Sequence, residues 1–181
     1  MIVVIGSPSA TAGRAAGLAA DVARAIAGTG ARVEIVGRVG DDAAGEELLL
    51  DLSRAGVGHV AVLRDPAHPT PQHPAAGIAA DAADLRLALG YLRDADTSAI
   101  LLVDPLDPSL AAEALEAARY GSARLVVAIA AATGEALRGT LHRDPAEGHA
   151  RETAPPLVVE YVPGDPAAAV SLLVGLLLAD D

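Results

Sequence analysis

Six short runs of aliphatic, largely β-branched residues punctuate the chain: Ile2–Ile5, Arg32–Val36, Val60–Leu63, Ala99–Val103, Leu125–Ile129 and Leu157–Val162. Most are apolar at consecutive positions, the pattern of strands covered on both faces of a parallel sheet. Between the first two runs, Leu18, Val22 and Ile26 fall at i, i+4 and i+8 within Ala12–Ala27, a helical stripe closed by Gly28 and Gly30. Asp41 or Asp42 can cap a second helix carrying Leu48, Leu49, Leu52 and Ala55, and Gly56 ends it. Helical stretches follow at Leu85–Leu92, Ser109–Tyr120, Thr133–Leu141 and Pro166–Ala179. The last has proline at its first position and apolar residues all round, the signature of a buried or interface helix. Strands alternating with helices predict βαβ units. The expected fold is therefore α/β, three-layer α/β/α with a mostly parallel sheet, in one domain over residues 1–181.

The core of such a fold must here come from Ala, Val, Leu and Ile, because Phe, Trp and Cys are absent and Tyr occurs three times. Without Cys there is no disulfide framework, thiolate metal site or cysteine nucleophile. The five His lack the spacing of metal ligands, so no metal centre is expected. All 13 basic residues are Arg, which excludes a Schiff-base lysine and the lysine of a phosphate-binding Walker loop. A net charge of −11 argues against a nucleic-acid partner, which needs a basic surface. The start, MIVVIGSPS, lacks the basic region of a signal peptide. The longest apolar stretch, Ala167–Ala179, falls short of the ~20 residues that cross a bilayer. The sequence thus predicts a cytoplasmic protein with no membrane partner.

Ligands of open α/β sheets sit beyond the carboxyl ends of the strands, so the strand-end loops carry the candidate chemistry. Gly6–Gly13 (GSPSATAG) matches neither G-x-G-x-x-G nor a Walker loop and reads first as a tight turn. In Gly37–Leu49 (GRVGDDAAGEELL) the glycines permit chain reversal and close packing, and the aspartates can cap a helix. Val162–Val170 (VPGDPAAAV) ends a strand, presents Gly164-Asp165 and starts a helix at Pro166. Amides at such a helix start can hold negative charge, and a carboxylate there can take a proton from an attacking hydroxyl. Asp165 can equally be an ordinary helix cap. The segments Asp65–Pro74 and His142–Pro156, with four of the histidines, read as loops, and Asp104 and Asp107 as caps after the fourth strand.

With these residues in view the sequence resembles the PfkB, or ribokinase-like, carbohydrate kinases. Ala31–Leu63 is similar to that family's strand, G-x-V-G-D-D-x-x-G, helix, G-V, strand unit, and Ile100–Val127 to its central strand–helix–strand step. Leu157–Ala179 resembles the strand and helix around the family's G-A-G-D motif. The resemblance implies a ribokinase-like fold, ATP with Mg2+ as cofactors, and a sugar or nucleoside hydroxyl as acceptor. It places Asp165 as catalytic base, Gly164 in the anion hole, and Thr11, Gly17 and Asp21 against the substrate, with Asp21 where the family has Asn.

The departures from the pattern concern chemistry more than fold. Val162 and Pro163 replace the Gly-Ala of G-A-G-D, and Pro163 and Pro166 lack N–H groups where transition-state charge develops. Losing one such donor costs about 3 kcal/mol. The N-x-x-E and T-x-G motifs are missing, Thr11 is expected to run almost directly into the first helix so that the β lid is absent, and the chain stops soon after Asp165. Two readings follow: a PfkB-like kinase of weakened or lost activity, or a non-catalytic small-molecule-binding or self-associating module on the same scaffold. A homo-oligomer formed through apolar surface is expected in either case.

Overall fold

The computed structural model describes residues 1–73, 78–91, 96–103, 108–130 and 155–179. The expected helix Thr133–Leu141, most of the loop His142–Pro156, Asp104 and Asp107 lie outside the described residues. The strands are β1 (Ile2–Ile5), β2 (Ser9–Thr11), β3 (Arg14–Ala16), β4 (Val33–Gly40), β5 (Gly58–Asp65), β6 (Ala99–Val103), β7 (Arg124–Ala130) and β8 (Leu157–Tyr161). The helices are α1 (Leu18–Gly28), α2 (Ala43–Arg54), α3 (Ala82–Tyr91), α4 (Pro108–Gly121) and α5 (Pro166–Leu178).

Six strands form one sheet in the order β5-β4-β1-β6-β7-β8, with every neighbouring pair parallel. Numbered by chain order this is 3-2-1-4-5-6, the doubly wound arrangement whose direction of winding reverses beside β1. The layers follow from period-2 alternation in the strands. Ile2 and Val4 point into a core shared with Ile26 of α1, Leu48 and Leu52 of α2, and Leu173 and Leu177 of α5. Val3 and Ile5 point the other way, against Leu85 of α3 and Leu110 and Leu115 of α4. Helices thus cover both faces, as the consecutive apolar runs require.

Residues 9–16 depart from expectation. Instead of running almost directly into the first helix they form an antiparallel hairpin, with Ser9 opposite Ala16 and Thr11 opposite Arg14. Its two-residue turn places Ala12 at φ 49° and Gly13 at φ 73°, the left-handed pair that fits the twist of a hairpin. Because the hairpin uses this stretch, α1 starts at Leu18 rather than Ala12. The hairpin is tied to its neighbours: the amide of Ala15 donates to Asp51 of α2 (3.0 Å) and that of Ala10 to the carbonyl of Pro71 (2.7 Å). At the other side of the sheet the β4–β5 register shifts between Glu34 and Val36. The buried carboxylate of Glu34 accepts from the amide of Val60 at 2.6 Å and lies directly against Gly58. It satisfies a donor that the irregular ladder leaves unpaired.

Alanine in the left-handed region is strained by roughly 1–2 kcal/mol, whereas asparagine tolerates it. Ala12→Asn is therefore expected to raise the thermal midpoint by about 2 °C, and Ala12→Val to lower it. A calorimetric scan showing no gain for the asparagine variant would contradict the turn geometry.

Candidate functional site

The carboxyl ends of the parallel strands bring three segments to one side of the molecule: the hairpin and start of α1, the end of β4 with the start of α2, and the turn between β8 and α5. Gly17 is the residue before α1, at φ 97° with no side-chain cap, so the first amides of that helix lack an internal acceptor. Asp21 lies one turn on. Burial pushes its carboxyl pKa upward, and this outweighs the opposing attraction of Arg24, whose Nη1 approaches at 3.1 Å. A groove of about 500 Å³ separates α1 from α5 and is lined by Asp21, Ala25, Pro166, Ala167, Val170 and Ser171 among others. The fold therefore brings Asp21 alongside the first turn of α5, although the two are far apart in sequence.

Asp165 caps that turn. Its Oδ1 accepts from the amide of Ala168 at 3.0 Å, with Pro166 as the first helical residue. Gly164 and Asp165 are exposed, and among the described residues a Cβ at Gly164 would meet no atom within 4 Å, so the turn is open on that side. Cap and proton acceptor are not exclusive roles, because Oδ2 makes no hydrogen bond within the described protein. Thr11 does not join this group. It sits beside the hairpin tip with its hydroxyl donating to the carbonyl of Gln72 at 3.3 Å, toward the proline-rich loop rather than the α1–α5 groove.

The G-R-V-G-D-D segment does structural work that sequence inspection only partly reveals. Asp42, not Asp41, caps α2, accepting from the amide of Gly45 at 2.8 Å. The same carboxylate accepts from the amide (2.8 Å) and the hydroxyl (2.6 Å) of buried Thr70, and the Thr70 hydroxyl oxygen accepts from the amide of Gly40 at 2.9 Å. The Thr70 hydroxyl, then the Thr70 and Gly45 amides, hold the Asp42 carboxyl below the usual carboxylate range. A Cβ on Gly40 would collide with the Thr70 amide, and one on Gly45 with the Gly40 carbonyl. Both glycines are thus demanded by close approach. The tip of β2 is fastened to this assembly through Pro71 and Gln72.

Two further ionic clusters were not anticipated. Arg38, on the outgoing half of β4, meets Asp84 of α3 at 2.6 Å, Asp65 at 3.5 Å and Asp81 at 3.9 Å. Arg24 bridges Asp21 and Asp51 and donates to the carbonyl of Ala15 at 2.8 Å. Burial raises the Asp51 carboxyl, but the Ala15 amide and Arg24 outweigh it and leave the pKa lowered, opposite to Asp21. His68 pairs with Asp65 at 3.0 Å and is otherwise exposed, and His73 is exposed; His142 and His149 lie outside the described residues. Among the described residues no three His, Asp or Glu side chains gather as a metal site.

The chain matches the model of the pfkB family carbohydrate kinases over residues 7–138. No curated protein sequence matches it. Among solved structures it is similar to a fructokinase with bound ATP from Xylella fastidiosa, at 17% identity and a TM-score of 0.56, covering 71% of this chain and 51% of that one. It is similar to a carbohydrate kinase from Agrobacterium tumefaciens at 17% identity and a TM-score of 0.56, with coverages of 70% and 52%. A proposed ribokinase II from E. coli, in its apo form, superposes with a TM-score of 0.61 at 14% identity, covering 78% of this chain and 58% of that chain. The chain thus spans little more than half the length of the structures it matches. The ribokinase-like fold expected from the G-R-V-G-D-D unit is the one found.

Asp42→Asn keeps a cap acceptor for Gly45 but loses the ionised oxygen that Thr70 addresses. It is expected to lower stability at pH 7 by about 1–2 kcal/mol, measured by urea unfolding. Since the folded pKa of Asp42 is depressed, this advantage of the native residue is complete above the unfolded value near pH 4 and disappears as pH falls through the folded value. A difference between the two proteins that stays constant down to pH 2 would refute the assignment.

Proposed function

The chain belongs to the PfkB family of carbohydrate kinases, and on that basis we propose that it transfers a phosphoryl group, slowly, from ATP to a hydroxyl of a sugar or nucleoside bound where α1 meets α5. The observation that carries this reading is the shared groove: Asp21 and the turn after Gly164-Asp165 line one surface, although the sequence separates them widely. In this reading Gly17 and Asp21 hold the acceptor, the open space at Gly164 admits the phosphoryl end, and Asp165 accepts the proton of the attacking hydroxyl. The start of α5 contributes the positive end of its dipole. Thr11, turned toward Gln72, is left with a supporting part in the hairpin. A cytoplasmic location, where ATP is available, goes with this activity.

When bound, ATP supplies the group to be transferred. The chain fits it only in part: it offers a helix start beside free space, but no lysine to grip phosphate. The family's Mg2+ has no cage among the described residues. Pro163 and Pro166 remove amides from the turn that faces the developing charge, which is the reason for proposing a slow reaction. ADP release in the presence of a panel of sugars and nucleosides tests the reading. Asp165→Ser retains a helix cap and removes the base, so folding should persist while turnover falls by roughly 10²–10⁴. Absence of any acceptor-dependent ADP from the native protein would overturn the proposal.

A second reading is favoured by α5 itself. Pro166–Leu178 contains no charged residue, Leu172 is 48% exposed, and Val162 just before the helix is 68% exposed. Such a charge-free face on a protein of net charge −11 suits self-association into a homo-oligomer. Light scattering at micromolar concentration should report an oligomer that Leu172→Glu converts to monomer. A strict monomer before substitution would remove this reading and leave the kinase proposal untouched.

A further inference from the structure

In the hairpin, Ala10 lies opposite Ala15, one pair beyond the pair that flanks the turn. Alternate pairs of an antiparallel ladder turn their N–H and C=O groups away from each other, and a buried residue must find partners for them elsewhere. The amide of Ala10 finds the carbonyl of Pro71. Ala15, also buried, is met by two side chains that act toward it as a third strand would. Asp51 of α2 accepts from its amide at 3.0 Å, and Arg24 of α1 donates through Nη2 to its carbonyl at 2.8 Å. The same Nη2 pairs with Asp51 Oδ2 at 2.7 Å and closes the ring.

The other nitrogen of Arg24, Nη1, donates to Asp21 Oδ1 at 3.1 Å. A guanidinium is a rigid planar fork, so fixing Nη2 on the hairpin and α2 also fixes where Nη1 is presented. An ordinary ion pair on a helix surface leaves both side chains free to swing; this one is anchored on two other elements. Asp21 lines the α1–α5 groove, and its Oδ2 makes no hydrogen bond among the described residues. We propose that Arg24 and Asp51 are positioning residues for the acceptor: anchored on Ala15, they occupy Oδ1 of Asp21 and leave Oδ2 to receive the acceptor's hydroxyl hydrogen. The inference rests on the kinase reading and extends it to two residues outside the groove lining, of which Asp51 acts only through Arg24.

The charge on Asp21 depends on the same contact. Burial is the largest influence and raises its pKa; Arg24 opposes this by charge and hydrogen bond, and Arg14 of β3 by charge alone. The groove's other wall, α5, carries no charged residue from Pro166 to Leu178. Without Arg24 the Asp21 carboxyl therefore titrates higher still, and its ionised form is lost at a higher pH as pH falls.

The sugar or nucleoside that gives the fastest ADP release serves as acceptor in the test. Arg24→Gln and Asp51→Asn should each raise the KM for that acceptor about fivefold, the size of one partly exposed ion pair. The kcat should stay within about twofold, because holding the acceptor stabilises ground and transition states alike. Arg24→Lys restores a charge beside Asp21, but one ammonium cannot span Asp21, Asp51 and the Ala15 carbonyl as the fork does. Its KM should stay raised. The Asp21 carboxyl carbon, followed by NMR, should titrate at higher pH in Arg24→Gln and return toward the native midpoint in Arg24→Lys. No turnover by the native protein would remove the kinase reading and the acceptor role with it. Turnover with native KM in both Arg24→Gln and Asp51→Asn, an unmoved Asp21 titration in Arg24→Gln, or full recovery of KM in Arg24→Lys would each overturn this inference and leave the kinase reading standing.

Discussion

The Asp42 carboxylate accepts hydrogen bonds from the start of α2 through Gly45 and from both the amide and hydroxyl of Thr70. Thr70 in turn reaches the last residue of β4, and its neighbours Pro71 and Gln72 receive the hairpin. One side chain therefore closes the corner at which β4, α2, the proline-rich loop and the hairpin meet. Charge-assisted bonds of this kind are stronger than neutral ones, and their Thr70 end is buried. The glycines of G-R-V-G-D-D belong to the same corner, since side chains at Gly40 or Gly45 would not fit within it. The motif most diagnostic of the family is thus an architectural device. The chemistry proposed for the chain lies elsewhere, where α1 and α5 begin.

The sheet was legible because each of its strands is a local apolar run whose neighbours in sequence are helices or glycine turns. Ala99–Val103 is found at the very bounds its composition predicts. The hairpin was not legible. Its turn is Ala-Gly rather than the Asn-Gly that usually announces the left-handed pair, and its strands, Ser-Ala-Thr and Arg-Ala-Ala, hold no large apolar residue and lie beside a helix rich in alanine. Gly164-Asp165 could be placed before α5 because a cap is a local feature. The convergence of Asp21 on that turn is set by helix packing across the sheet. The Thr70 clamp joins residues 28 apart, and no local pattern marks it.

The scarcity of aromatic residues shapes how these layers meet. Ala19, Ala20 and Ala23 of α1 and Ala111, Ala114 and Ala118 of α4 are all buried. Their short side chains bring the helices close to the sheet and leave the larger Leu and Ile residues to fill the gaps between elements. Such a core depends on many small contacts, each worth little alone. Long-range ties supplement it: Arg124, at the start of β7, donates to the carbonyls of Leu177 and Ala179 at the far end of α5.

The central position of β1 has a consequence for synthesis. This four-residue strand is apolar on both faces, and its two edges are closed by partners that leave the ribosome at different times. Ile2 pairs with Val33 on one side and with Ala99 on the other. At about 5–20 residues per second, the second edge stays open for several seconds after the first is occupied. During that interval the nascent chain presents an unpaired strand edge with bare hydrophobic surface, the kind of intermediate that chaperones retain. The middle of the sheet closes only when β6 emerges, with β7 and β8 still to be added beyond it.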